Sequence, residues 1–279
     1  MRNDFVTLFA KYRTADITLL VLVIITGWWI SLHPFLPSSV DSVVRARYIW
    51  GSSYQVIALW GAVCGLFIGQ LWGGTRSVIG RSIIAFSCGL LLQVFGQSVY
   101  SYYNLFAHIE APYPSLGDIG YFGSIFAYLY GAFLLARASG VSVSLKSYRN
   151  QLLAVLLPIL LLLTTYLIFL QGYVFDWAHP VKVFLDFGYP LGQACYVSVA
   201  ILTLLLSRKV LGGMMRGAVL LLLIALIVQY CSDFNFLYQA NQNSWYVAGY
   251  GDYLYVVSYF LMSIALMYIG HVFSKIRES

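Results

Sequence analysis

The chain has 279 residues, 61% of them hydrophobic and only 9% charged, with a mean hydropathy of +0.80 and a formal net charge of +6. This excludes an ordinary water-soluble domain, in which about a quarter of residues are charged. The basic residues sit in connections between apolar runs, so the positive charge speaks for membrane topology and attraction to anionic lipid, and no nucleic acid partner is expected.

Eight apolar runs long enough to cross hydrocarbon follow one another, over roughly 17–36, 48–72, 82–105, 118–138, 150–171, 184–206, 217–238 and 249–272. The expected fold class is therefore all-α, a polytopic protein of the lipid bilayer with eight transmembrane helices. The first run follows Lys11 and Arg13 but has no small-residue cleavage site and precedes Pro34 and Pro37, so it reads as a retained helix and not a signal peptide. An even number of spans puts both termini on one side. Arg76, Arg81, Arg137, Lys146, Arg149, Arg208, Lys209 and Arg216 share that side, leaving Arg45, Arg47 and Lys182 opposite. By the positive-inside rule both termini are expected in the cytoplasm, in a bacterial inner membrane. Cys64, Cys88, Cys195 and Cys231 all fall within spans and form no CxxC pair, which points to packing and to neither a disulfide nor a zinc site.

The acids sort the other way. Asp41, Glu110, Asp118, Asp176, Asp186, Asp233 and Asp252 lie in outer connections or outer halves of spans, a bias that topology does not require. An ionisable group within a span is expected to face a wet cavity or a polar partner. Asp118 and Asp252 have a second reading as helix N-caps. Asp233 has none, because its helix runs outward and a carboxylate opposes the dipole at that end.

Comparing the halves aligns "GDIGY" at 117–121 with "GDYLY" at 251–255, "GGTR" at 73–76 with "GGMMR" at 212–216, and Gln55 with Gln193. Gln93, Gln97 and Tyr100 likewise fall on Gln229, Asp233 and Phe236. The expectation is two parallel four-helix repeats, 17–138 and 150–272, with cytoplasmic segments 1–16 and 273–279, related by an axis along the membrane normal. Helical spacing then gathers Gln93, Gln97, Tyr100 and Asn104 into one stripe, and Asp186, Tyr189, Gln193 and Tyr196 into another. Asp118, Tyr121 and Tyr128 form a third, and Asp252, Tyr255 and Tyr259 a fourth. These stripes are expected to converge on an outward-opening pocket. The competing reading makes the tyrosines an interfacial belt and the glutamines interhelical ties, and it accounts best for Tyr113, Trp177, Trp245 and Tyr246.

The segments "PYPSLGDIGYF", "FGYPLGQ", "CSDFNF" and "GYGDYLY", in that order, resemble the bacterial multi-span sensor regions found ahead of GGDEF, EAL and histidine-kinase domains. The resemblance covers roughly residues 90–270 and implies a sensor. Gln97 and Gln193 stand where that pattern carries aspartates, and the chain stops at "HVFSKIRES", so the resemblance implies a protein partner carrying the output. "GYGD" at 249–252 also satisfies the GxGD pattern of intramembrane aspartyl proteases, with Asp118 as second carboxylate, but lacks the proline motif expected after it. A transporter would suit a duplicated pocket, though the inner halves of the helices offer few polar steps. No lysine lies deep enough for a retinal Schiff base, and no paired haem ligands are visible.

The reading is a non-enzymatic sensor module that binds a small-molecule ligand or cation of unknown identity. Asp233, Gln97, Gln193, Asp186, Tyr189, Tyr121, Tyr100, Gln229 and Tyr255 are the expected pocket residues, with Asp118 and Asp252 at its rim. No metal and no specific cofactor is assigned. A non-catalytic structural or pigment-associated subunit of a larger membrane complex is the main alternative.

Overall fold

The computed structural model describes residues 14–33, 39–207 and 215–278. Asp4, Lys11, Arg13, Pro34, Pro37, Arg208, Lys209, Gly212 and Gly213 lie outside the described residues. The chain is all-α: α1 (Thr14–Ser31), α2 (Asp41–Ser53), α3 (Gln55–Leu71), α4 (Val78–Leu105), α5 (Gly117–Ala138), the short α6 (Val141–Ser144), α7 (Tyr148–Thr165), α8 (Pro180–Ser207), α9 (Met215–Asn241) and α10 (Tyr250–Glu278). Among the described residues eight spans are long and apolar enough to cross a membrane, α2 and α3 forming one of them and α7 being extended by a widened turn over Tyr166–Leu170.

Local chemistry sets several boundaries. Ser77 caps α4 by accepting the Gly80 N–H at 2.8 Å. Gly73 takes φ 93° in the turn before it, a conformation that costs glycine little. Pro180 opens α8, where its missing N–H has no intrahelical partner to lose.

The second span begins at Asp41, seven residues before the apolar run expected from 48. At 31 residues it is about 46 Å long, against about 30 Å of hydrocarbon. Its early part carries Asp41, Arg45 and Arg47, which hydropathy alone does not assign to a span. Arg47 is nonetheless 4% exposed, because its guanidinium donates to the Leu32 and His33 carbonyls at the end of α1, at 3.2 and 2.9 Å. The span is interrupted at Tyr54.

The connections 106–116, 171–179 and 242–249 share one end of the bundle, here called distal, opposite the ends of α1 and α10 nearest the termini. The most intimate helix pair is α4 with α5. Gly120 lies against the Leu92 carbonyl and Gly96 against the Tyr121 ring, so any side chain at either would overlap its neighbour. Small residues let membrane helices approach closely where lipid supplies no hydrophobic drive. The next closest contacts are α9 with α10, α3 with α4, α10 with α3, and α5 with α8.

Helix α1 docks on α10: Trp29 stacks on Tyr253 with centroids 4.2 Å apart and donates to the Ala248 carbonyl at 3.0 Å, and Thr26 shares a 2.7 Å bond with Tyr253. Helix α7 leaves Leu152, Val155, Ile159, Leu160 and Leu163 exposed, as a lipid-facing helix does. The cysteines depart from the expectation of uniform packing. Cys64 is buried and Cys88 half-buried, but Cys195 and Cys231 sit on exposed helix faces, because a span presents part of its circumference outward.

Candidate functional site

A cavity of about 640 Å³ lies in the distal half of the bundle, walled by α4, α5, α8, α9 and α10 and by Tyr54 at the break between α2 and α3. Ten of the eleven expected site residues reach its wall: Gln97, Tyr100, Asp118, Tyr121, Asp186, Tyr189, Gln193, Asp233, Asp252 and Tyr255. The eleventh, Gln229, is fully buried behind Asp233 and off the wall. Its amide nitrogen donates to Asp233 at 3.0 Å while its carbonyl accepts from Ser258 at 2.7 Å. Gln229 positions the carboxylate and does not line the void. Asn104, on the same stripe as Gln97, turns its amide to the Tyr100 carbonyl at 2.9 Å and is also off the wall.

Asp233, 8% exposed, is held by neutral donors from two helices, Tyr196 of α8 at 3.0 Å and Gln229 of α9 at 3.0 Å, and shares the cavity wall with Tyr255 of α10. The matching place on α4 carries Gln97, whose carbonyl accepts from Tyr121 at 2.7 Å and whose nitrogen donates to the Gly51 carbonyl at 2.9 Å. One turn deeper, Gln93 donates to Ser124 at 2.8 Å and accepts from Tyr259 at 3.1 Å. One bonded pair thus recurs in both halves, Gln93–Ser124 being matched by Gln229–Ser258.

Asp118 and Asp252 lie in the cavity wall, and each accepts a backbone N–H from the connection just ahead of its helix; Asp118 is not itself the N-cap of α5, a place that Leu116 holds. Asp118 accepts the Ser115 N–H at 2.7 Å with one oxygen and the Tyr189 hydroxyl at 2.7 Å with the other. Asp252, 6% exposed, accepts the Ala248 N–H at 2.8 Å, and its second oxygen has no partner among the described residues. Asp186, two turns into α8, accepts Tyr113 from the 106–116 connection at 2.8 Å and Tyr173 from the 171–179 connection at 2.6 Å. Burial, followed by that hydrogen bond, raises the Tyr113 phenol above its ordinary range, and the bond to Asp186 lifts Tyr173 to about 12.

Two residues expected in an interfacial belt also line the cavity. Tyr113, 46% exposed, reaches it through its bond to Asp186, and Trp245 lines it with its ring edge-on to Tyr100 and Phe236. Trp177, 74% exposed, and Tyr246, under the Arg47 guanidinium at 5.5 Å, stay off the wall. Tyr54, Glu110, Ser124 and Tyr173 were missed as wall residues. Ser124 carried a usable signal, since it shares with Ser258 the offset that relates Asp118 to Asp252.

Comparison with known families, curated proteins and solved structures finds no match. The site's own chemistry is therefore the guide. Among the described residues its wall holds five carboxylates, from Glu110, Asp118, Asp186, Asp233 and Asp252, and no lysine, arginine or histidine. The Tyr128 hydroxyl, on a ring 1% exposed, and the buried indole N–H of Trp245 have no hydrogen-bond partner among the described residues. The Gln193 amide, 5% exposed, has no partner among the described residues.

Proposed function

We propose that this protein is a receptor-like module of a bacterial inner membrane that takes a small ligand or cation into its distal cavity and passes the resulting change to a protein partner. The observation that carries the reading is the charge imbalance of the cavity: among the described residues its wall holds five carboxylates, two of them, Asp233 and Asp252, more than nine-tenths buried, and no basic side chain. A carboxylate taken out of water without a counter-ion is costly, and within a membrane such groups mark binding sites and ion paths. The volume lies in the range of small-molecule sites. Duplication is supported by the recurring Gln–Ser bond and by reciprocal packing, α5 on α8 and α10 on α3. The basic residues around Arg76, Arg137 and Arg216 favour a cytoplasmic side at the termini, so the cavity would open outward.

Gln193→Cys, in a chain whose four native cysteines are replaced by alanine, tests this directly. Membrane-impermeant methanethiosulfonates added outside right-side-out vesicles are expected to modify it, the ethyltrimethylammonium reagent about tenfold faster than the sulfonate reagent, each relative to its rate with a free thiol in solution, because of the acidic wall. No modification from outside, or equal relative rates for the two reagents, removes the reading.

A further inference from the structure

Asp233 and Asp252 are both more than nine-tenths buried, both open on the cavity, and neither meets a cationic side chain in its wall. They stand at different depths. Asp252 lies in the first turn of α10 at the distal end, whereas Asp233 lies eight residues before the distal end of α9. Their partners are separate, the Ala248 N–H for one and Tyr196 and Gln229 for the other.

The donor set is unlike a metal centre. Calcium takes six to eight oxygens and magnesium demands a near-ideal octahedron, each converging on one point. Among the described residues no three His, Cys, Asp or Glu gather in that way. What surrounds the two carboxylates is aromatic: Tyr54, Tyr100, Tyr121, Tyr128, Tyr255 and Tyr259. Aromatic faces attract organic ammonium groups and pack against methylene chains. The unpartnered Tyr128 oxygen and Gln193 amide, both deep in the wall, can accept N–H bonds that a carboxylate alone would leave unmet.

We propose that the ligand is a linear aliphatic diamine or polyamine, one ammonium group seated at Asp233 and Tyr128 and a second at Asp252, with the methylenes against the tyrosine rings. This rests on the receptor reading above and specifies its ligand.

The test is calorimetric titration of the full chain in nanodiscs with 1,5-diaminopentane, spermidine, pentylamine and 1,5-pentanediol. The diamine is expected to bind at least about tenfold more tightly than pentylamine, and the diol not measurably, since one further desolvated ammonium–carboxylate contact is worth about that factor. Asp252→Asn and, separately, Asp233→Asn should each bring the diamine within about threefold of pentylamine. Tyr128→Phe should weaken both amines by about three- to tenfold, the effect of one hydrogen bond. Each variant is first checked for a monodisperse size-exclusion profile, and the two aspartate variants serve as replicates should one misfold.

The assignment is overturned if the diol binds as well as the diamine, if pentylamine equals the diamine in the unmodified chain, or if magnesium or potassium displaces the diamine at equal concentration. Absence of any amine binding while cysteine at position 193 still reacts from outside overturns the amine assignment and leaves the receptor reading standing. Absence of both overturns the two together.

Discussion

Replacing Tyr196 by phenylalanine isolates the charge on Asp233. The ring is fully buried and lies edge-on to Tyr128 with centroids 6.1 Å apart, so the substitution keeps the packing and removes one hydroxyl. What is lost is its 3.0 Å bond to a carboxylate that is 8% exposed. A hydrogen bond to a charged group contributes about 1.5–3 kcal/mol, whereas one to a neutral group contributes about 0.5–1.5. Tyr259→Phe is the internal control: its ring is 2% exposed, but its hydroxyl donates to the neutral Gln93 amide at 3.1 Å. Tyr196→Phe should therefore cost about twice as much as Tyr259→Phe when the nanodisc-embedded protein is unfolded with dodecyl sulfate and followed by near-ultraviolet circular dichroism. In an Asp233→Asn background the penalty should fall to the control's level, about 0.5–1.5 kcal/mol. Equal penalties for the two phenylalanine variants, with no change in the Asn background, would show that Asp233 is not a charged acceptor. The uncompensated charge on which the ligand assignment rests would then be gone.

Gly120→Leu should abolish the folded state, because any side chain there overlaps the Leu92 carbonyl and parts α4 from α5; a monodisperse protein with unchanged helical signal would contradict this. In a spectrophotometric titration at 295 nm one phenol should ionise only near pH 12, and Tyr173→Phe should remove that step. The sign follows from a folded pKa raised above the unfolded value of about 10: the clip from Tyr173 to Asp186 stabilises below pH ~10 and is lost as pH rises through about 12. Ala248 holds φ 58° while its N–H meets Asp252 and its carbonyl meets Trp29, so Ala248→Val should unfold about 1–2 kcal/mol more easily than Ala248→Gly; equal midpoints in dodecyl sulfate would refute the strain. Gln97→Asp combined with Asp233→Asn moves the charge to the matching place on α4, and amine affinity should recover over Asp233→Asn alone if the halves are equivalent; calorimetry reads the difference.

Spans were legible because hydrocarbon demands an unbroken apolar run, and the stripes because a period of 3.6 residues fixes which positions share a face. That was enough to bring Gln97, Tyr121, Asp233 and Tyr255 to one void. What failed depended on geometry that no single helix encodes. Tyr54 reaches the wall at an interruption between two helical segments, and α2 was cut short because its charged first turns do not look like membrane. Tyr113 and Asp186 are 73 residues apart, and a connection folding over the bundle end leaves no periodic trace. Gln229 was counted as lining because it shares a stripe with Asp233, but a stripe has width, and its buried edge faces the neighbouring helix.

The structure divides the polar residues between two explanations that the sequence left competing. Interhelical bonding accounts for Gln93, Gln97 and Gln229, whose amides are fully engaged with neighbouring helices or with an adjacent carboxylate. It does not account for Gln193, for the Tyr128 hydroxyl or for the second oxygen of Asp252, which belong to buried residues in the wall of one void and have no partner among the described residues. A bundle held together by polar ties alone gains nothing from these three groups, and leaving a buried polar group unsatisfied costs about 1–3 kcal/mol. Trp60 and Ser139 also carry buried polar atoms without a partner among the described residues and lie off the wall, so what speaks for a ligand is that Gln193, Tyr128 and Asp252 face one cavity together. On the proposed reading the excess of carboxylate in that wall sets a positive sign for the ligand, and the separate partners of Asp233 and Asp252 argue for more than one positive centre.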